Sequence, residues 1–580
     1  GDQQGYEAGL QAFIKEFPDR SKYRYQLLDF YRGLGRLDDE ERLLRELVAA
    51  DPENQPIKVR LATRLVRKGD TAGAEQLLKD NLARYPDSAE LRIALGDFYR
   101  ATKRSAEAMA TYRQVAAQWA DTTPEGLQAR NRIVAQHAVG GDIQQARADI
   151  DAILKAAPDN SEALLSRATF AFLDRKYDDA IADLRTVLRR EQSSDAALLL
   201  ARSYVGAGDL VVAKDTYRTL LDRDPGNALA ARELAVLLSD QGDAAAASEI
   251  LRSFLAIKPG DAEASAALVQ NLLVSRDMAA AEAEANRAIE RAAGTALAEQ
   301  QLGQVLQAKG DNTQALARYR AILDKDPTQI AALEGLVAIL LESNRAAEAV
   351  DYLKRYPTEN AETSLLLGKA YVSQGNIEAA RAVHEASIRQ APKDARPYIA
   401  LAALAPTYSA DQLAALERGW KAVPGNLTIG AFLGSLLERK GKVASAISVY
   451  ERVIAENPGA PLATNNLASL LLDQGKDKAS LARALKLAKT LEKSADPIML
   501  DTLGWAYFRN DDVANAVRTL ERAVAADGNS GLLQYHLGKA YAAAGNTVSA
   551  RQHLKLALEK GGDEAAFAAD ARAVLGTLGS

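Results

Sequence analysis

Alanine and the larger aliphatic residues recur along this chain in a fixed register, interrupted at regular intervals by a glycine followed by a small polar or charged residue. Such pairs stand at Gly35-Arg36, Gly69-Asp70, Gly141-Asp142, Gly208-Asp209, Gly242-Asp243, Gly310-Asp311, Gly375-Asn376, Gly441-Lys442, Gly475-Lys476 and Gly545-Asn546, mostly 34 residues or a near multiple of 34 apart. Lys103-Arg104, Arg175-Lys176, Arg276-Asp277, Asn344-Arg345 and Asp511-Asp512 occupy the same register without the glycine. A period of this length predicts a repeated helix-turn-helix unit, each too small to bury its apolar face alone. Sixteen units result, one of them degenerate near 395–424.

With the turn at slots 15 and 16 of each unit, slot 20 is alanine in thirteen of the sixteen, among them Ala74, Ala180 and Ala446. Slot 8 is glycine or alanine in most, as at Gly96, Ala201 and Gly504. Paired helices need such small residues where they cross most closely. Proline at slot 32 (Pro18, Pro52, Pro86, Pro327, Pro458) ends the second helix, because it lacks an amide donor and restricts the residue before it. The Asp, Gly and Asn around it supply turn and N-cap chemistry for the next helix.

These slots resemble the tetratricopeptide repeat family, whose pattern has Leu-Gly at slots 7 and 8, Tyr at 11, Ala at 20, an aromatic at 24, Ala at 27 and Pro at 32. Leu503-Gly504, Tyr507, Ala516, Leu520, Ala523 and Asp527-Gly528 fall on those positions, glycine replacing the proline. Slot 24 is often Leu or Ile, and the family's tryptophan at slot 4 is absent. The resemblance covers nearly the whole chain. It implies an all-α, right-handed superhelical α-solenoid of about sixteen helix-turn-helix units plus a C-terminal capping helix.

The expected layout is an array over 1–394, a degenerate unit at 395–424 where the superhelix could break, a second array over 425–562, and a cap over 563–580. Pro397 and Pro406 interrupt the degenerate unit. Extra residues accompany Trp119 to Pro124, a shortened second helix ends near Tyr356-Pro357, and two residues are inserted near 475–511. In the cap, Ala568, Ala571, Leu575 and Leu578 share one helical face. Setting Pro18 at slot 32 puts Gly1-Asp2 at slots 15 and 16, so the sequence starts inside a unit. The expectation is that more protein precedes residue 1, with room there for a membrane anchor.

Composition narrows the possibilities. Of 580 residues, 48% are hydrophobic, 26% charged and 6% aromatic, which describes folded, helix-rich protein. A net charge of -5 lacks the positive field that a nucleic acid backbone requires, so no nucleic acid partner is expected. Zero cysteines exclude disulfides, thiolate metal sites and cysteine nucleophiles. No run of eighteen apolar residues occurs, so no transmembrane segment is expected in this chain.

Catalytic motifs are missing. Gly368-Lys369, Gly441-Lys442, Gly475-Lys476 and Gly538-Lys539 are never followed by Ser or Thr, so there is no phosphate-binding P-loop. His137, His384, His536 and His553 include no pair three or four residues apart, so no helix face offers two imidazoles to a metal. His536 and His553 lie on the two helices of one unit, where solvated or packing roles are expected. The reading is a non-enzyme with no cofactor and no metal.

Binding is what the resemblance favours. It implies that slots 2, 5, 9, 12 and 13 of each first helix face a concave groove that takes protein or peptide segments. Near the C-terminus these slots hold Asn465, Ser469 and Asp473, then Asp501, Trp505, Phe508 and Arg509, then Tyr535 and Lys539. Aromatic and arginine side chains together are typical interface anchors, although Trp505 and Phe508 could equally pack on the next unit or the terminal helix. Elsewhere the slots give Tyr25, Asp29 and Arg32, then Asp97 and Arg100, then Gln300, Gln304 and Gln307. No three adjacent units carry the Lys, Asn and Arg pattern with which the chaperone-binding members clamp a terminal carboxylate. Asn465-Asn466-Leu467-Ala468 and Leu500-Asp501-Thr502-Leu503-Gly504-Trp505-Ala506-Tyr507 resemble large bacterial envelope members of the family that accompany exopolysaccharide export and PEP-CTERM sorting. The resemblance implies a scaffold or adaptor of an envelope complex, periplasmic or outer-membrane-associated, with a cytoplasmic location as the alternative. A second reading is the regulatory or substrate-recruiting arm of an enzyme, such as a glycosyltransferase, whose catalytic domain lies outside the chain. A third is direct glycan binding by Trp505, Phe508 and Tyr535.

Overall fold

The 34-residue register becomes a succession of helix pairs in the computed structural model, which describes residues 3–17, 20–291, 295–355, 361–475 and 477–578. Gly1-Asp2, Pro18, Tyr356-Pro357 and Lys476 lie outside the described residues. Among those described there are 34 helices, numbered α1 to α34 in chain order, and no strand. The first, α1 (Gln3–Glu16), is a lone second helix; sixteen pairs follow, and α34 (Ala568–Thr577) closes the series. No described helix is long and apolar enough to cross a membrane.

Each turn depends on one left-handed residue at slot 15. Nine glycines there have φ between 68° and 90°, and the five residues that stand in for glycine, Lys103, Arg175, Arg276, Asn344 and Asp511, have φ between 56° and 64°. Glycine enters this region without steric cost, whereas a side chain there costs about 1 kcal/mol. The amide at slot 16 then reaches back to the carbonyl at slot 11, as from Asp70 to Leu65 at 3.0 Å and from Arg104 to Tyr99 at 2.8 Å, which closes the first helix in the Schellman manner. Where slot 16 is Asp, its carboxylate can cap the second helix: Asp70 accepts from the Gly73 amide at 2.9 Å. Gly475 is the exception, with φ -72°, beside the inserted residues.

The degenerate unit keeps this device in disguise. Its helices are α24 (Arg396–Leu404) and α25 (Ala410–Ala422), and the left-handed residue between them is Tyr408, with φ 63°. Pro397 sits in the first turn of α24, where no amide partner is needed, and Pro406 stops that helix early. The segment 395–424 is thus a shortened helix pair. By contacts, the chain forms two compact units, Gly1–Lys258 and Pro259–Ser580, and 395–424 lies inside the second. The cap is shorter than the expected 563–580: its helix begins at Ala568, with Ala568 and Ala571 buried and Leu575 half-buried.

Inside each pair, all thirteen slot-20 alanines are completely buried. Slot 8 meets slot 24 across the pair. A methyl group added at Gly96 would lie 2.5 Å from the Tyr112 ring, one at Gly303 2.7 Å from Tyr319, and one at Gly504 2.6 Å from Leu520. His384 fills the same place against Gly368. Tyr112, Tyr217, Tyr319 and Tyr450, all at slot 24, are the largest fully buried side chains. Tyr319 is held on both sides, since a methyl at Gly335 of the next unit would come within 2.5 Å of it. Gly303→Ala therefore leaves the ring nowhere to retreat, and a cost of about 1–3 kcal/mol is expected. Thermal unfolding should fall accordingly, with faster amide exchange centred on α18 (Ala296–Ala308), α19 (Asn312–Lys325) and α20 (Ile330–Glu342). An unchanged midpoint would disprove the close-approach argument.

Candidate functional site

First helices of neighbouring units pack side by side, as α4 (Gln55–Lys68) does with α6 (Ala89–Ala101). Between them in the first unit lies a cavity of about 500 Å³. Its lining includes Val59, Thr63, Val66 and Arg67 of α4, at slots 5, 9, 12 and 13, and Glu90, Ile93, Asp97, Arg100 and Ala101 of α6, at slots 2, 5, 9, 12 and 13. Ala62, Ala94 and Phe98 extend the apolar floor. Asp97 accepts from the Tyr112 hydroxyl at 2.7 Å and from Arg132 Nε at 3.2 Å. The slot-24 tyrosine thus crosses the core and presents its hydroxyl to the groove wall. Tyr319 does the same at Gln307, 3.3 Å away, and burial pushes its hydroxyl up to about 12. Asp29, another groove position, accepts from Arg32 at 3.2 Å and Arg60 at 2.9 Å, and Gln304 accepts from Gln270 at 2.6 Å.

Most of the C-terminal sequence candidates fall into two sets. They stand on α28 (Pro461–Gln474), α30 (Pro497–Arg509) and α32 (Gly531–Ala543), three consecutive first helices of the second unit. Trp505 stacks on Phe508 at 4.8 Å and 12°, and on the His536 ring at 4.1 Å and 15°. Beneath, Asp501 holds His536 Nδ1 at 2.8 and 2.9 Å. An ionised carboxylate only accepts, so Nδ1 carries the hydrogen. Both residues are buried. Trp505 and Phe508 are half-buried, each with part of its surface open.

The other set is engaged within the chain. Tyr535 stacks on Phe567 at 5.0 Å and donates its hydroxyl to Asp570 at 2.7 Å, and Lys539 binds the same carboxylate at 2.8 Å. Arg509 gives Nη1 to the Leu472 carbonyl at 2.7 Å and Nη2 to that of Gly475 at 3.2 Å. Asn465, Ser469 and Asp473 join neither set: Asn465 is buried with its Oδ1 unpartnered, Ser469 is half-buried, and Asp473 is exposed. Sequence reasoning gave His536 a solvated or packing role, and the structure shows it packed; it did not connect His536, Phe567 or Asp570 with the groove candidates. His536 lies one slot outside the groove positions, and the signal that would have found it is the 35-residue step from Asp501, one repeat plus one residue.

His536 and His553 each have a different partner, His553 binding Gln534 at 2.7 Å. His384 is buried and its basicity is lowered by burial. Among the described residues no group of three or more His, Asp or Glu is placed to hold a metal ion.

Two groove carboxylates are raised. Burial pushes Glu438 up, against a hydrogen bond from the Tyr450 hydroxyl, and Glu438 Oε1 is buried without a partner. Asp473 is raised by lost hydration on its protein-facing side, with attraction to His536 and Arg509 opposing. A carboxylate raised in the fold stabilises it below the unfolded pKa and loses that contribution as pH rises through the folded value. Glu438→Gln keeps the acceptor for Tyr450 and removes the charge. It should unfold at a higher temperature than wild type at about pH 8, with the difference shrinking towards about pH 4, where a free Glu itself protonates. A difference independent of pH would contradict the raised carboxyl.

Tetratricopeptide repeat models match along most of the chain: one at 65–133, 204–270 and 306–363, a second at 137–197, 433–496 and 502–573, and a third at 361–394. The chain belongs to the tetratricopeptide repeat family, whose groove-lined helix pairs make it an interaction scaffold. No curated protein matches it. Among solved structures it is similar to the Cut9-Hcn1 hetero-tetramer of the APC/C, at 14% identity over 97% of this chain and 96% of that one, with a TM-score of 0.37. It is also similar to Naa15/Naa10 bound to HypK, at 17% identity over 96% and 100%, with a TM-score of 0.38. Yeast Tom70 matches at 16% identity over 72% and 95%, with a TM-score of 0.28. None of these likenesses bears on function.

Proposed function

We propose that this chain is a non-catalytic scaffold whose groove holds together protein components of a bacterial cell-envelope assembly serving polysaccharide synthesis or export. The observation that carries the binding role is the cavity between α4 and α6, lined mainly by groove-slot residues, with an apolar floor and a charged rim. An apolar floor supplies affinity and a polar rim supplies register, which suits a protein segment. The net charge of -5 argues against a nucleic acid occupant. What supports the absence of catalysis is that the carboxylate and imidazole of Asp501 and His536 lie buried beneath Trp505, used up in packing. The envelope setting rests on the resemblance of Asn465-Asn466-Leu467-Ala468 and the segment 500–507 to envelope members of the family, and it makes the periplasm or the outer membrane the proposed location.

Affinity capture with the full chain from crosslinked native membranes tests both parts. Recovery of envelope synthesis or export components is expected. Recovery of cytosolic proteins alone would overturn the envelope setting, and recovery of no protein would overturn the scaffold role.

A further inference from the structure

Beside the groove cavity lies a smaller one of about 120 Å³, between α2 (Ser21–Gly33), α3 (Leu37–Ala50) and α4. Four guanidinium groups line it, from Arg32, Arg60, Arg64 and Arg67, with one carboxylate, Glu40, in the lining and those of Asp29, Asp38 and Glu41 behind it. The two cavities share Val59, Thr63 and Arg67, so one ligand can occupy both.

The arginines are unequally satisfied. Arg32 gives Nε to Glu40 at 3.2 Å and Nη2 to Asp29 at 3.2 Å, and Arg60 gives Nη2 to Asp29 at 2.9 Å. Arg64 is 3% exposed and gives Nε to the Leu37 carbonyl at 2.7 Å. Its Nη2 is 3.7 Å from Asp38 and 3.9 Å from Glu41, beyond hydrogen-bond reach, and its Nη1 is buried with no partner. Arg67 is exposed and makes no hydrogen bond or ion pair among the described residues. A guanidinium stays charged at any physiological pH, and a buried donor left unmet is costly. Glu40 does not relieve Arg64, because its bonded oxygen is held by Arg32 and its other oxygen is buried with no partner of its own. The wall therefore holds one buried donor and one whole guanidinium for an anion, next to an apolar floor of Val66, Ile93, Ala94 and Phe98.

We infer that this composite site receives an acidic–apolar protein segment, one whose Asp or Glu side chain reaches Arg64 and Arg67 while a neighbouring large apolar side chain enters the groove cavity. Charge complementarity selects the carboxylate, and the shared lining of the two cavities sets the two side chains close together in the partner. Guanidinium–carboxylate pairs are the strong, oriented kind of hydrogen bond, and an apolar anchor in a desolvated pocket contributes the remaining affinity. The inference rests on the interaction-scaffold reading and specifies the chemistry of the partner.

The test is selection of a random dodecapeptide display library on the full chain, followed by affinity measurement for the selected peptides. Enriched peptides should carry Asp or Glu beside Leu, Ile or Phe. Their affinity should fall at least about tenfold in Arg67→Glu, which reverses a groove charge, and also in Ala94→Glu, while Val548→Ala, at an exposed second-helix position outside the groove slots, binds as wild type. The Arg67 side chain is exposed and makes no hydrogen bond or ion pair among the described residues, so its replacement leaves the fold intact. No enrichment, enrichment without an acidic residue, or undiminished binding to Arg67→Glu would overturn the inference. So would a dimer of the chain that Arg67→Glu dissociates, because a second copy would then be the occupant. A failed selection beside a successful membrane capture would sink this inference alone; a capture of cytosolic proteins only beside acidic–apolar peptides would sink only the envelope setting.

Discussion

Everything in this molecule depends on how closely two helices can approach at slots 8 and 24. In most pairs one helix offers only glycine or alanine there, and the other fills the space with a tyrosine, a leucine or a histidine. Gly303 against Tyr319 shows the constraint most plainly, because Gly335 presses on the ring from the far side. Dense packing of this sort tolerates little change in volume. The pair then behaves as a rigid element, and the first helix presents slots 5, 9, 12 and 13 in a repeatable direction. Groove geometry is thus a product of core packing.

Tyrosine makes that link chemical as well. Tyr112 and Tyr319 have buried rings, yet their hydroxyls end on Asp97 and Gln307, which are groove residues. A contact that moves Asp97 acts on a group bonded to the core. Near the C-terminus the equivalent coupling runs between units, through Asp501, His536 and Trp505.

The fold was legible in the sequence because its determinants are local and repeat sixteen times. Thirteen alanines at slot 20 mark thirteen buried crossings, and Lys103, Arg175, Arg276, Asn344 and Asp511 were recognisable as turns from register alone. Tyr408 was not, since Pro406 shortened the helix before it and displaced the pattern. The candidate site was legible only as positions. Slot numbers identified Asp97, Arg100 and Trp505 as groove residues, but which of these are free depends on contacts made a repeat or more away. Lys539 meets Asp570 across 31 residues, and Arg64 reaches the Leu37 carbonyl across 27. Periodicity records what every unit shares, and the unsatisfied arginine wall belongs to a single place in the array.

The grip of Asp570 on Tyr535 and Lys539 has a bearing on assembly. Stacked helix pairs expose at their last member a face able to accept another pair, and copies meeting there head to tail would grow into a filament. Here α34 occupies that face with buried Ala568 and Ala571, and its carboxylate binds two side chains of the last groove. The face beyond α32 is thus covered by a helix of the same chain, and a head-to-tail contact there would first have to displace it.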